Sequence, residues 1–407
     1  MNKTTIHDGI HMFTMNVDSM LFEGMWDLPN GVSMNSYVVK GEKTAIIDGV
    51  IGWDGVAKTL FDNLAEIGVD PKTIDYAVVN HMEPDHSGWI EDFKKIQTDF
   101  TIVTTAKGAE LLESYYGNDV AVKVVEEGDT LDLGNGKVLS FHPSPNVHWP
   151  ETMLTYEKST KTLFSCDMYG AFGTLGEHIF DDQLTEKEKA LYEEETMRYA
   201  SNVMITYAPM LKRALRITKG LDIEMIAPGH GPLYRENPGK IIDDYTRFTE
   251  FASGYGLNEV TILYGSMYGM TEKAVMHANT LLKDKGIKVN LVKLPESTQS
   301  DMVLNAFKAA GIIVAGSTYE YKMYPPVAHA IDELGRKKIK NKTALHFGSY
   351  GWSGGAKKDL EKVMDTYKMK WAMVDSVEFL GRAKEADYEA IEKGVESLIE
   401  SMKNKVV

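Results

Sequence analysis

One cysteine, Cys166, stands in 407 residues, so the chain forms no internal disulfide. The same scarcity excludes thiolate-ligated iron–sulfur, rubredoxin-type and zinc-ribbon centres, and any thiolate-bound electron carrier must be a separate protein. No apolar run approaches the roughly 20 residues that cross a bilayer. The opening MNKTTIHDGIHMF lacks the long apolar segment of a secretory signal. Positive charge is also scarce: the formal net charge is -15, against the basic footprint that nucleic-acid binding needs. These absences point to a cytoplasmic protein with no nucleic-acid and no membrane partner. The length predicts two domains, because one core of this size is uncomfortable.

The pattern changes once along the chain. Up to residue 250, strand-like runs at 74–79, 101–104, 121–125, 138–142 and 162–166 alternate with helical stretches, among them a long one over Glu186–Lys219. Strands dominate and helices flank them, which predicts an α/β sandwich of two sheets with helices outside. After Phe251-Ala252-Ser253-Gly254-Tyr255-Gly256 the chain reads strand, loop, helix in regular alternation. Five such units predict a doubly wound, flavodoxin-like five-stranded parallel sheet. The expected domains are 1–250 and 256–407, with the boundary between 248 and 258.

Four possible metal ligands, His81, Glu83, Asp85 and His86, follow the strand-like run at 74–79. Three more groups stand in the same relation to later strands: His148, Asp167 and His230. Any one of these has a plain reading, Asp167 as a helix cap or His230 as an ordinary loop histidine. Together they are seven nitrogen and carboxylate donors at one edge of one domain, enough for two metal ions. Three carboxylates offset most of the charge of two divalent ions. The oxygen-rich mix leans toward iron over zinc.

The second domain offers three loops after successive strands. Ser266-Met267-Tyr268-Gly269-Met270-Thr271 leads into a helix N-terminus, where free N–H groups and the dipole favour a phosphate. The third strand ends in Ser317-Thr318-Tyr319-Glu320, and the fourth in Gly348-Ser349-Tyr350-Gly351-Trp352, with Gly354 just beyond. These resemble flavodoxin loops and assign flavin mononucleotide (FMN), with Tyr350 and Trp352 placed to flank its ring. A GxxxxGK[ST] lysine is missing, which argues against nucleoside triphosphate chemistry.

The run H-x-E-x-D-H with a later His, Asp and His resembles the metallo-β-lactamase fold, whose hydrolases carry H-x-H-x-D-H and usually bind zinc. Glu83 replaces the second histidine of that pattern. With the adjoining His148-Trp149-Pro150-Glu151-Thr152-Met153 and the flavodoxin-like domain, the whole chain resembles the flavodiiron proteins. The resemblance implies a metallo-β-lactamase-like αβ/βα sandwich followed by a flavodoxin-like domain. It implies an oxidoreductase that passes electrons from FMN to two non-haem iron ions per subunit and reduces dioxygen to water, nitric oxide to nitrous oxide, or both. By the same resemblance His81, Glu83 and His148 bind one iron, Asp85, His86 and His230 the other, and Asp167 bridges them. A separate rubredoxin is the expected electron donor. Domains of this size have radii of gyration of roughly 18 and 15 Å, so two sites in one chain can lie too far apart for fast electron transfer. A head-to-tail homodimer, or a dimer of dimers, answers this. The rival expectation is a zinc-dependent hydrolase carrying a redox-regulatory flavodoxin domain.

Overall fold

The computed structural model describes residues 2–18, 21–50, 56–117 and 119–407. The chain divides into two compact units, Met1–Thr246 and Arg247–Val407.

In the first unit, strands β1 (Asn2–His7), β2 (Ile10–Val17), β3 (Val32–Lys40), β4 (Thr44–Ile47), β5 (Tyr76–Val78), β6 (Thr101–Thr104) and β7 (Ala121–Val124) form a sheet in chain order. Its first four strands pair antiparallel and the rest parallel. A second sheet, ordered β12-β11-β10-β9-β8, is built from β8 (Thr130–Gly134), β9 (Lys137–Pro143), β10 (Met153–Glu157), β11 (Thr162–Cys166) and β12 (Met225–Pro228).

The period-2 pattern of the central strands decides the layering. Tyr37, Val39, Ala45, Ile47, Val78 and Val103 point between the sheets, where they meet Phe141, Phe164 and Met225. Their neighbours Val38, Ile46, Ala77 and Ile102 point outward and are covered by Leu60, Leu64, Phe93 and Leu112. Those covering residues come from helices α1 (Val56–Glu66), α3 (Ile90–Phe93) and α4 (Ala106–Tyr116); the short α2 is Pro84–Ser87. Each such side chain taken out of water contributes about 1.5–3 kcal/mol. Thr105 caps α4 by accepting from Gly108 N, and Gly117 at φ 81° ends it.

The stretch 186–219, expected as one helix, is interrupted. Helix α5 (Glu186–Tyr199) passes into a π-helical turn at Ala200–Met204 and a 3-10 turn at Ile205–Tyr207 before α6 (Ala208–Lys219) begins. Pro209, near the start of α6, has no N–H to continue the ladder and suits a fresh helix start instead. Helix α7 (Pro238–Ala252) closes this part of the chain.

The second unit runs β13 (Leu257–Gly265), α8 (Met270–Asp284), β14 (Lys288–Lys293), α9 (Gln299–Lys308) and β15 (Ala309–Gly316). A small hairpin of β16 (Thr318–Tyr319) and β17 (Lys322–Met323) follows. Then come α10 (Pro325–Arg336), β18 (Thr343–Tyr350), α11 (Ala356–Thr366), β19 (Ala372–Leu380) and α12 (Glu385–Met402). The five long strands are all parallel in the order β14-β13-β15-β18-β19, so the winding direction switches between β13 and β15. Val260, Ile262, Ile313, Leu345 and Phe347 pack on one face against Ala274 and Leu282 of α8 and Val395 and Leu398 of α12. At the opposite end from the strand tips, Lys342 is buried and its Nζ donates to the carbonyls of Tyr255, Phe307 and Ala309 at 2.7–2.8 Å. No helix among the described residues is long and apolar enough to cross a membrane.

Candidate functional site

Two residues beyond the end of β5 stands Asn80, which is gripped on both sides. Asp48 accepts from Asn80 N at 2.8 Å and Nδ2 at 2.9 Å, and Thr155 Oγ1 donates to Asn80 Oδ1 at 2.7 Å. His81 therefore leaves the strand from a fixed point. Pro84 opens α2 directly after Glu83, and that short helix carries Asp85 and His86. His148 stands in the 144–152 loop beyond β9, where Thr152 Oγ1 donates to Ser144 O at 2.6 Å. Asp167 and His230 follow the parallel neighbours β11 and β12. The His230 loop is pinned by Asn35 Nδ2, which donates to Pro228 O and Gly231 O at 3.0 and 2.9 Å. Gly229 has to be glycine here, since a Cβ would sit 2.8 Å from His86 Cε1.

The structure brings all seven donors together as two groups. One is His81, Glu83, His148 and Asp167; the other is Asp85, His86 and His230. Asp167 faces both. Its Oδ2 lies 3.3 and 3.2 Å from the Nε2 atoms of His81 and His148, and its Oδ1 lies 2.9 and 3.3 Å from those of His86 and His230. Glu83 Oε2 is 3.1 Å from both His81 Nε2 and His148 Nε2. Asp85 Oδ2 is 3.5 Å from His86 Nε2 and from His230 Nε2. Both Asp85 oxygens and His230 Nε2 are buried without a hydrogen-bond partner. Buried polar atoms are seldom left so, and a pair of cations would satisfy all three.

The outer nitrogens are committed away from this centre. His230 Nδ1 donates to the Ser33 carbonyl at 2.9 Å, and His81 Nδ1 lies 2.7 Å from Glu151 Oε1. Both contacts put a proton on Nδ1 and leave Nε2 to face the centre. Cys166 also lies near His86 and Asp167. Burial, reinforced by Asp48 and Asp167, pushes its thiol well up, so it stays protonated and is a poor ligand.

Burial alone would disfavour charged imidazoles, but the carboxylates win. Asp167, Glu151 and Glu83 hold His81 well above its usual range. Asp85 and Asp167 raise His86 to about 10, and Asp167 and Glu83 raise His148 to about 9. Against the same burial, His148 and His81 bring Glu83 down to about 2. Without metal at neutral pH, protons therefore occupy the places that a metal would take. Two results are expected. Adding ferrous or zinc ion to the metal-free chain at pH 7 releases protons to an indicator dye, and the affinity rises as pH is raised toward 9. The stabilisation of the metal-free fold by raised histidines is complete below their unfolded value of 6.5 and lost as pH rises through about 9 to 10. That from Glu83 is complete above 4.5 and lost as pH falls toward 2. The melting temperature of metal-free protein should thus peak between these limits.

In the second unit, β13, β15 and β18 are neighbours in the sheet, so the loops 266–271, 317–320 and 351–354 leave one edge side by side. Thr271 Oγ1 and Ser349 Oγ lie 3.0 Å apart, and Ser349 N donates to Thr271 Oγ1. Gly269, at φ 80°, precedes α8 with no side-chain cap, so the N–H groups of the first turn have no side-chain acceptor there. A Cβ on Gly348 would stand 1.8 Å from Gly316 O, so the ends of β15 and β18 meet backbone to backbone. Tyr350 is the last residue of β18 and is half-buried, while Tyr268 and Trp352 are 88% and 75% exposed. Met267, Met270 and Tyr319 are also exposed, and Ser317 is buried with its Oγ unpartnered. Thr318 Oγ1 accepts from Ala356 N, and Glu320 turns the small hairpin at φ 48°. Gly354 packs against the Glu378 carboxylate, while Gly351 faces open space. Bare helix amides beside exposed aromatic rings fit a phosphate-bearing planar ligand.

Sequence reasoning missed Asp48, Asn35, Ser33, Glu151 and Tyr199. The Tyr199 ring lies 5.6 Å from that of His230 and 5.0 Å from Phe172, with its hydroxyl buried and unpartnered. The interrupted helix offered no sequence signal that Tyr199 reaches the centre.

Comparisons with known proteins bear on both units. A model described as ODP family beta lactamase matches residues 32–231, and the flavodoxin model matches 262–397. The anaerobic nitric oxide reductase flavorubredoxin of Klebsiella pneumoniae is 33% identical over 334 residues, 80% of this chain and 67% of that protein. The chain thus spans about two thirds of the length of that relative. Among solved structures, rubredoxin oxygen:oxidoreductase from Desulfovibrio gigas superposes with a TM-score of 0.91 at 28% identity over 99% of each chain. A flavo-di-iron protein variant from Thermotoga maritima does so at 0.89 and 30% identity, over 98% of this chain and 99% of that one.

Proposed function

The chain belongs to the flavodiiron proteins, and from that membership we propose that it is an oxidoreductase carrying electrons from FMN to a pair of iron ions, reducing dioxygen to water, nitric oxide to nitrous oxide, or both. The arrangement of Asp167 carries this reading, because one carboxylate presents one oxygen to each of two histidine groups. When bound, iron supplies electrons and open coordination positions to a small gas, and the flavin renews those electrons.

The chain's own residues do the rest. His81, Glu83 and His148 would hold one iron and Asp85, His86 and His230 the other, with Asp167 between the two groups and open to both. Glu83 brings a negative charge where zinc hydrolases carry a neutral histidine, which favours a metal that changes oxidation state. Trp149, with its ring 5.0 Å from His81 and 6.2 Å from His148, and Phe22, 5.5 Å from His230, limit water around the centre. Reduction of either gas consumes protons, and the buried hydroxyl of Tyr199, whose ring lies 5.6 Å from that of His230, would hold one. FMN would sit at the β13/β15/β18 edge, held by the loops 266–271 and 317–320 and by residues 348–354 at the end of β18 and beyond it.

We place the protein in the cytoplasm, with a separate rubredoxin as donor and an NADH-linked reductase upstream, in keeping with the rubredoxin-linked names of its relatives. The zinc-hydrolase alternative has no support in those names. A gas electrode tests the function: with reduced rubredoxin, consumption of oxygen or nitric oxide should require iron and should not be restored by zinc.

For electron transfer we propose a head-to-tail homodimer, one subunit's flavin serving its partner's metal pair. Mixing a metal-ligand variant, His148→Ala, with a flavin-loop variant, Ser266→Glu, then restores activity through hybrid dimers, up to about a quarter of the wild-type level for random pairing with one competent pathway in half the molecules. Mixtures no more active than the separate variants would contradict the arrangement.

A further inference from the structure

We propose that Glu151 is a positioning residue that makes the two metal positions chemically unequal, an inference that rests on the diiron reading above. Its side chain is fully buried, and Oε1 accepts twice, from His81 Nδ1 at 2.7 Å and from Met82 N at 2.9 Å. Its main-chain oxygen accepts from Thr105 Oγ1 at 2.8 Å, and the next strand begins with Met153 N donating to Asn80 O at 3.0 Å. Glu151 thereby ties the loop carrying His148 to the segment carrying His81 and Glu83, three donors of one metal position.

Among the described residues, no carboxylate is seen bonded to an outer imidazole nitrogen of the second position. His230 Nδ1 leans on a neutral carbonyl, that of Ser33. Asp48 lies near His86 and acts on it as a charge, while its oxygens accept from Asn80 N and Nδ2. A carboxylate bonded to the outer N–H of an imidazole makes the inner nitrogen a stronger donor, and burial keeps solvent from diluting that charge. The iron held by His81 is therefore the one that more readily stays ferric, and the pair exchanges its electrons in two separate steps.

Glu151→Gln keeps an acceptor oxygen and removes the charge; Glu151→Leu removes both. Glu127→Gln is the control, since exposed Glu127 lies 2.6 Å from a ring nitrogen of His142, outside the donor set. The measurements are ferrous-ion titration of each variant and a redox titration followed by electron paramagnetic resonance of the half-reduced pair. In Glu151→Gln one of the two ferrous sites should weaken by about 10–100-fold while the other is unchanged. Its half-reduced signal should shrink as the two steps converge, each tenfold change in ferric over ferrous affinity moving one step by about 59 mV. Glu127→Gln should match wild type throughout. If Glu151→Gln matches wild type in both affinities and in the half-reduced signal, the inference is overturned, whether or not Glu151→Leu folds. Wild-type protein that binds no iron pair would overturn the parent reading, a failure visible before any variant is made.

Discussion

Asp167→Asn should lose gas-reducing activity by about 10²–10⁴-fold while the flavodoxin-like unit keeps its flavin. Asp167 is nearly fully buried and is the only side chain among the described residues that faces His81, His86, His148 and His230 together. Those histidines and Glu83 lie close enough that removing one charge leaves the others uncompensated. Breaking a buried charged cluster in this way costs about 3–5 kcal/mol, and each 1.36 kcal/mol is a factor of ten in a rate or binding constant. The asparagine is nearly isosteric, so packing against the β11 and β12 ends survives. Iron analysis should show loss from both positions at once, since each uses one Asp167 oxygen. Loss of a single iron with activity retained would show that Asp167 serves one position only.

Lys342→Met should destabilise the second unit by about 3–5 kcal/mol, at the scale of orphaning three buried carbonyls at about 1–3 kcal/mol each, less the gain from no longer burying an ammonium. The carbonyls of Tyr255, Phe307 and Ala309 converge on one Nζ. Burial, with Lys405 adding repulsion, lowers the Lys342 ammonium to about 7. The unfolded chain then holds this proton up to its ordinary 10.5. Between those values the unfolded state binds more protons, so stability rises with pH. Urea denaturation followed by circular dichroism, with flavin fluorescence reporting release, should show a lower midpoint for Lys342→Met and no such rise. A midpoint equal to wild type would show that water replaces the ammonium at no cost.

The seven donors were legible because each follows a strand-like run, and strand ends converge at one edge whatever the details of packing. The five β/α units were legible for a similar reason: their hydrophobic runs are short, regular and bounded by turn residues. The groups that orient the donors were not. Asn35 holds the His230 loop from 193 residues away, and Glu151 reaches His81 across 70. Nothing local to Glu151 separates it from a solvated acid; its role exists only once β5 and β10 are placed. The π-helical turn at 200–204 was hidden because Ala200–Met204 have ordinary helical composition, and only Pro209 hinted at a restart. Strand β19 runs to Leu380, because Tyr350 of β18 extends far enough to pair with it.

On the proposed function, electrons stored on the flavin reach a gas through iron held by these seven side chains. Its most direct test is stopped-flow mixing of anaerobically reduced, iron- and FMN-loaded protein with dissolved nitric oxide or dioxygen, watched through the flavin absorbance. The account predicts rapid flavin reoxidation by at least one gas in iron-loaded protein and its loss in the zinc-loaded form. Flavin that stays reduced with both gases, in protein that instead cleaves esters when loaded with zinc, would contradict it.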